Sequence, residues 1–208
     1  MTHRLLEEYP GLARTHDTLR VVAEEAHGDQ KTPKGDPYLV HVDSVVAFFL
    51  DGLAAETPQR SMREMEDGLA CALLHDVLED TDLDERALTE AIEARRVTVP
   101  KAWIRGVKAL TKDPAIPDKD RRMTDSLQRL QEQPTVVQMV KMADRCANLG
   151  DPPAQWSSAK VADHARESWR ILEHLHRASR PLAMRLIERV RHYEDTWVLP
   201  FEEDPPTE

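Results

Sequence analysis

The chain has 208 residues, 40% hydrophobic and 32% charged, enough for one folded domain with a substantial core. Its 38 acidic and 28 basic side chains leave a net charge of −10, which argues against broad nucleic-acid binding, because that depends on basic patches and counterion release. No apolar run is long enough to span a bilayer, the first residues lack the apolar segment of a secretory signal, and Cys71 and Cys146 read as small buried hydrophobes of a reducing compartment; a cytoplasmic location is expected.

Helical periodicity dominates, and no segment alternates convincingly with a period of two. Helices are expected near 3–8 and 12–28, parted at Pro10-Gly11. After Lys34-Gly35, Asp36 reads as an N-cap with Pro37 at the first helical position, opening a helix over 38–53 that carries His41 in its first turns. Beyond Thr57-Pro58, one helix is expected over 62–79. Further helices are expected near 84–95, 100–111, 118–132, 135–149, 158–178 and 181–196, with breaks at Thr81-Asp82, Val99-Pro100, Pro114 to Asp118, Gln133-Pro134 and Asp151-Pro152-Pro153. The run Val97-Thr98-Val99 is ambiguous but short. The expected architecture is all-α: one helical bundle of roughly nine or ten helices over 1–198, followed by an acidic, proline-rich mobile tail over 199–208.

The most informative segment is Leu73-Leu74-His75-Asp76-Val77-Leu78-Glu79-Asp80. Four ionisable groups stand here in a strongly apolar helix. A buried charge costs several kcal/mol or more unless it is paired or bound to a metal, so His75 and Asp76 are candidate metal ligands. Glu79 follows His75 by four residues and would share its helical face. His41 and Asp144, the latter inside the apolar stretch from Val136 to Leu149, complete a set of two imidazole nitrogens and two carboxylates. Such mixed donors suit manganese, iron, cobalt or zinc better than calcium, and leave room for water and a phosphate oxygen. Asp144 has the alternative of a salt bridge and His41 that of a helix cap.

These residues carry a family resemblance. The His41…His75-Asp76…Asp144 pattern resembles the HD superfamily of metal-dependent phosphohydrolases. Ala26-His27 with Gln30 and then Gly35-x-Pro37-Tyr38-x-x-His41, the run from Ala72 to Thr81, and Lys141-Met142-Ala143-Asp144-Arg145-x-x-Asn148-Leu149 resemble the three motifs of the RelA/SpoT hydrolase domain. Val107-Lys108-Ala109-Leu110-Thr111-Lys112 is similar too, and the likeness covers about residues 15 to 180. The length resembles that of the stand-alone small alarmone hydrolases. The resemblance implies an HD-domain bundle and a manganese-dependent enzyme that releases the 3′-pyrophosphate of guanosine 3′,5′-bis(diphosphate) (ppGpp), with a small nucleotide as its partner and neither nucleic acid nor membrane; oligomeric state is left open.

Within that reading His41, His75, Asp76 and Asp144 bind the metal. Glu79 and Asp80 form the proton-transfer pair, steering a water that the metal acidifies. Substrate contacts are expected from Lys31, Lys34, Lys112, Lys141, Arg145, Asn148 and His164. Each has an ordinary alternative: a solvated lysine at Lys141, a structural ion pair at Arg145, a helix-terminal amide at Asn148, a core or surface histidine at His164. Tyr38 is expected to pack the first motif. The pattern departs from the resemblance in two places. The usual basic pair after the glutamine is Thr32-Pro33, and a frequent basic position is Gly150. A phosphatase for another nucleotide, such as the 2′-phosphate of NADPH or a nucleoside phosphate, is therefore an alternative. A catalytically silent nucleotide sensor is another, although retention of all six metal and acid residues weighs against it.

Overall fold

The computed structural model describes residues 3–199. Among them the chain forms eleven α-helices and one 3-10 turn, with no strand; the only extended pairing is a single bridge between Lys31 and Pro37. The helices are α1 (Arg4–Glu8), α2 (Pro10–His27), α3 (Tyr38–Ala54), α4 (Met62–Leu74), α5 (Val77–Asp80), α6 (Glu85–Glu93), α7 (Lys101–Leu110), α8 (Lys119–Gln131), α9 (Thr135–Asn148), α10 (Ser158–Leu175) and α11 (Arg180–Trp197), with the 3-10 turn His176–Ala178 between the last two. The expected tail lies outside the described residues except for Leu199.

Local chemistry sets most of the boundaries. Ser61 and Glu64 form a reciprocal capping box at the start of α4, and Asp84, Asp118 and Ser157 accept from backbone N–H groups of α6, α8 and α10. Pro10 occupies the first turn of α2, where its missing N–H costs nothing, so the break expected at Pro10-Gly11 falls one residue earlier. The start of α3 also shifts: Pro37 is the cap, and Asp36 makes no side-chain cap bond.

One expected helix is in fact two. The span 62–79 breaks at His75, which ends α4, and Asp76, which opens α5 with φ −103° and ψ −2°. Successive residues on a helix point roughly 100° apart. The break falls between two adjacent residues whose side-chain tips meet, His75 Nε2 lying 2.8 Å from Asp76 Oδ2.

Helices α4 and α9 form the centre. From Gly68 to Leu74, and again from Val136 to Val140, every residue but Gln138 is buried, so both helices are apolar nearly all round and must be covered on all sides. Helix α9 packs against α3, α4, α10 and α11, and α4 packs against α2, α3, α7 and α9. Close approach is bought by glycine at two crossings. A Cβ on Gly68 would lie 2.3 Å from Phe49 Cζ, and one on Gly106 would lie 2.4 Å from Cys71 Sγ. No helix among the described residues is long and apolar enough to cross a membrane.

Candidate metal centre

Three helical segments bring the expected ligands together. His41 comes from the first turns of α3, His75 and Asp76 from the α4–α5 break, and Asp144 from the buried centre of α9. His41 Nε2 lies 3.2 Å from His75 Nε2 and 3.6 Å from Asp76 Oδ2, while His75 Nε2 lies 2.8 Å from that same oxygen. Asp144 Oδ1 is 3.5 Å from His41 Nε2. Metal bonds of about 2.1 Å at right-angled or tetrahedral spread put neighbouring donors about 3.0–3.4 Å apart, so this spacing fits a single divalent cation. His41, His75 and Asp76 form a cluster with all ligand atoms within 4.8 Å of one another; Asp144 stands at its edge.

The surrounding bonds orient these donors. His75 Nδ1–H donates to the Ala72 carbonyl at 2.9 Å, which leaves Nε2 as the atom facing the cluster. Asp144 accepts from Lys141 Nζ on Oδ2 at 2.9 Å and from Asn148 Nδ2 on Oδ1 at 2.6 Å. The charges are poised to hold a cation. Burial opposes charging His75, yet the carboxylates of Asp76 and Asp144 outweigh it and raise its pKa to about 9. Burial likewise opposes ionisation of Asp76 and Asp144, but the charge of His75 in the first case, and of Lys141 and then His75 in the second, holds both well below the ordinary carboxylate range. The ionised carboxylates attract positive charge into a nearly dry site, and a divalent ion would displace the protons held there.

The two candidate proton-transfer carboxylates are each held by one partner. Glu79 accepts from the Lys112 backbone N–H at 2.9 Å and from Lys112 Nζ at 2.8 Å. Asp80 Oδ2 lies 2.9 Å from the Tyr38 hydroxyl, which donates to Asp76 Oδ2 at 2.6 Å. Burial, followed by the Asp76 charge, raises the Asp80 pKa, making it a readier proton acceptor than an exposed aspartate. Tyr38, expected only to pack, is therefore a strut of the site; burial and the Asp76 charge keep its hydroxyl protonated. His27 stacks on Tyr38 at 4.5 Å between ring centroids and meets Gln30 Oε1 through Nδ1 at 2.8 Å, so the first motif acts by holding Tyr38. The signal in the sequence was the three-residue step from Tyr38 to His41, one turn of α3.

Beside His41 a cleft of about 190 Å³ is lined by Lys34, Asn148, Gly150, Trp156 and His164 among others. A larger groove of about 840 Å³ has Lys112 in its wall and contains none of the expected ligands. The expected substrate contacts divide between these places and the interior. Lys34, Asn148 and His164 reach the cleft, and Lys112 is engaged with Glu79. Lys31 is exposed and does not line the cleft. Lys141 is buried against Asp144, contrary to the solvated alternative, because that carboxylate needs a counter-charge in the core. Arg145 is also buried, and its guanidinium is spent on His164 Nδ1 at 2.7 Å and Glu167 Oε2 at 3.2 Å. His164 donates from Nε2 to the Asn148 carbonyl at 3.2 Å; burial, with the adjacent Arg145 charge, lowers its pKa to about 4, so it faces the cleft as a neutral ring.

No family model matches the chain. Among characterised proteins, it is 28% identical over 185 residues to the human guanosine-3′,5′-bis(diphosphate) 3′-pyrophosphohydrolase MESH1, covering 86% of this chain and 88% of that one. The mouse MESH1 protein is 30% identical over 141 residues, 65% of this chain and 69% of its own length. An Aquifex aeolicus guanosine-3′,5′-bis(diphosphate) 3′-pyrophosphohydrolase is 28% identical over 147 residues, 70% of this chain, but the match spans only 19% of that longer protein. A solved structure described as a metazoan ortholog of SpoT that hydrolyzes ppGpp superposes with a TM-score of 0.68 at 23% identity, over 86% of this chain and 94% of the other, a likeness of fold. With its three ordered motifs, its helical bundle and these relatives, the chain belongs to the HD-type guanosine-3′,5′-bis(diphosphate) 3′-pyrophosphohydrolase family.

Proposed function

We propose that this protein is a divalent-metal-dependent phosphohydrolase that releases the 3′-pyrophosphate of guanosine 3′,5′-bis(diphosphate), with manganese as its working ion. The observation that carries the reading is the ligand-scale spacing of His41 Nε2, His75 Nε2 and Asp76 Oδ2, 2.8 to 3.6 Å apart, beside a cleft of nucleotide-base dimensions. The activity named for the human, mouse and Aquifex relatives points the same way.

In this reading His41, His75, Asp76 and Asp144 hold the ion. When bound, it supplies positive charge to the scissile phosphate and acidifies a water molecule. The chain's own groups do the rest. Glu79, fixed through both oxygens by Lys112, orients the attacking water. Asp80, whose proton affinity is raised, takes up the proton at its carboxylate while Tyr38 keeps it in place. Asn148 holds Asp144 and presents the end of α9 to the cleft. The cleft receives the nucleoside, with its 3′ end toward His41.

The test is incubation of the purified protein with Mn²⁺ and guanosine 3′,5′-bis(diphosphate), scoring the phosphate product. Pyrophosphate release that stops on chelation is the expected result. Orthophosphate released only from a different nucleotide would replace the substrate. That second reading draws on Thr32 and Pro33, which stand where a basic pair is usual and offer no cation. Nucleotide binding without any turnover would mark a sensor instead.

A further inference from the structure

The last turn of α9 holds part of the candidate site in place. Asn148 Nδ2 donates to Asp144 Oδ1 at 2.6 Å, and the Asn148 carbonyl accepts from His164 Nε2 at 3.2 Å. The backbone closes that turn weakly. Its cap bond runs from the Leu149 N–H to the Cys146 carbonyl at 3.3 Å, and Gly150, the next residue, does not take the positive φ that ends many helices. The final carbonyls of a helix have no partner within it, so they need donors from elsewhere. A side chain of α11 supplies them. Arg189 Nε donates to the Cys146 carbonyl and Arg189 Nη2 to the Leu149 carbonyl, each at 2.7 Å.

The same guanidinium reaches a second helix. Its central carbon lies 5.0 Å from the centroid of the Phe48 ring on α3. Phe48 follows His41 by seven residues, two turns along the same face of that helix. Arg189 thus joins the helix that carries His41 to the turn that fixes Asp144, and these two expected ligands stand 3.5 Å apart at the edge of the cluster. It is half-buried, and burial lowers its pKa. Among the described residues it has no carboxylate partner, so its donor fork is committed to α9 and its face to Phe48.

We propose that Arg189 is a positioning residue of the metal centre: it fastens the end of α9 against α3, so that Asn148 keeps Asp144 at ligand distance from His41. The inference rests on reading the cluster as a metal site. Calorimetric titration of the full-length, chelator-stripped protein with Mn²⁺ tests it in wild type, Arg189→Met, Asn148→Ala and the double variant, each first checked for helical content by circular dichroism. Arg189→Met keeps the aliphatic stem over Phe48 and loses both carbonyl bonds; it is expected to bind Mn²⁺ about tenfold more weakly, the scale of a lost partner behind a metal ligand. Because Arg189 acts through Asn148, the double variant should be weaker than Asn148→Ala by no more than about twofold, whereas a general loss of structure would add in full. Arg189→Lys, which keeps the charge but not the fork, should recover part of the affinity, and it takes the place of Arg189→Met in the same comparison if the latter does not fold. The inference is overturned if the Arg189 variant binds Mn²⁺ as tightly as wild type, or if its loss adds fully to that of Asn148→Ala. Failure of wild type to bind Mn²⁺ at all would instead overturn the metal-site reading, and the inference with it.

Discussion

The side chains around the cluster are set by a few close partners. Asp76 stands between His75 Nε2, His41 Nε2 and the Tyr38 hydroxyl, so an ion held there would meet the same carboxylate that anchors the strut. Asp76→Ala is expected to lose bound manganese and turnover together, seen by metal analysis after desalting. Glu79→Gln keeps the Lys112 contacts in part but removes the charge; metal content should stay near one equivalent while kcat drops about 10²-fold or more, the usual scale of a lost acid–base group. Full turnover in that variant would show that Glu79 has no part in orienting the attacking water. His164 supplies a pH prediction. An unfolded histidine titrates near 6.5, whereas folded His164 resists protonation until about pH 4 because it is buried beside Arg145. Between those values the unfolded chain binds a proton that the folded one refuses, so stability is lost as pH falls through that window. His164→Gln should flatten that acid limb, measured by urea denaturation at several pH values from neutrality to about 4.5.

Between helices, the decisive feature is how closely α4 approaches its neighbours. Gly68 meets the ring of Phe49, a fully buried residue that has no free direction in which to turn. Gly68→Ala should therefore cost about 1–3 kcal/mol of stability through overpacking. Gly11 offers a contrast on α2, where an added Cβ would come no nearer than 3.5 Å to Glu66 Oε1. Gly11→Ala should be neutral or stabilising by about 0.5–1 kcal/mol, the helix preference of alanine over glycine. Denaturant midpoints of the two variants should move in opposite directions. The same helix shows how much of an element a sequence reveals: its start at Ser61 and Glu64 is a capping signal four residues long, while its end at His75 has no local marker. Periodicity continues through Val77 and Leu78, so the break between the two ligands is invisible until their shared target is known.

For the molecule as a whole, the proposed ligands come from α3, the α4–α5 break and α9, and the cluster exists only when all of these pack. In the proposed reading, metal binding and folding are coupled. Manganese at about a hundred times its dissociation constant should stabilise the protein by roughly 2.7 kcal/mol, seen as a rise in Tm that is absent in Asp76→Ala. The sequence by itself determined the helical architecture, the order of its elements and the residue types able to hold a metal, because apolar period, caps and breakers are written into a few neighbouring positions. Only the packed structure decided which cations face the cleft. Lys141 and Arg145 turned inward to Asp144, His164 and Glu167, Lys112 went to Glu79, and Tyr38 joined Asp76 to Asp80. Nearly all of those pairings join residues far apart in the chain, and the remaining one, Lys141 with Asp144, depends on how deeply α9 is buried; neither distance in space nor burial is recorded in local sequence.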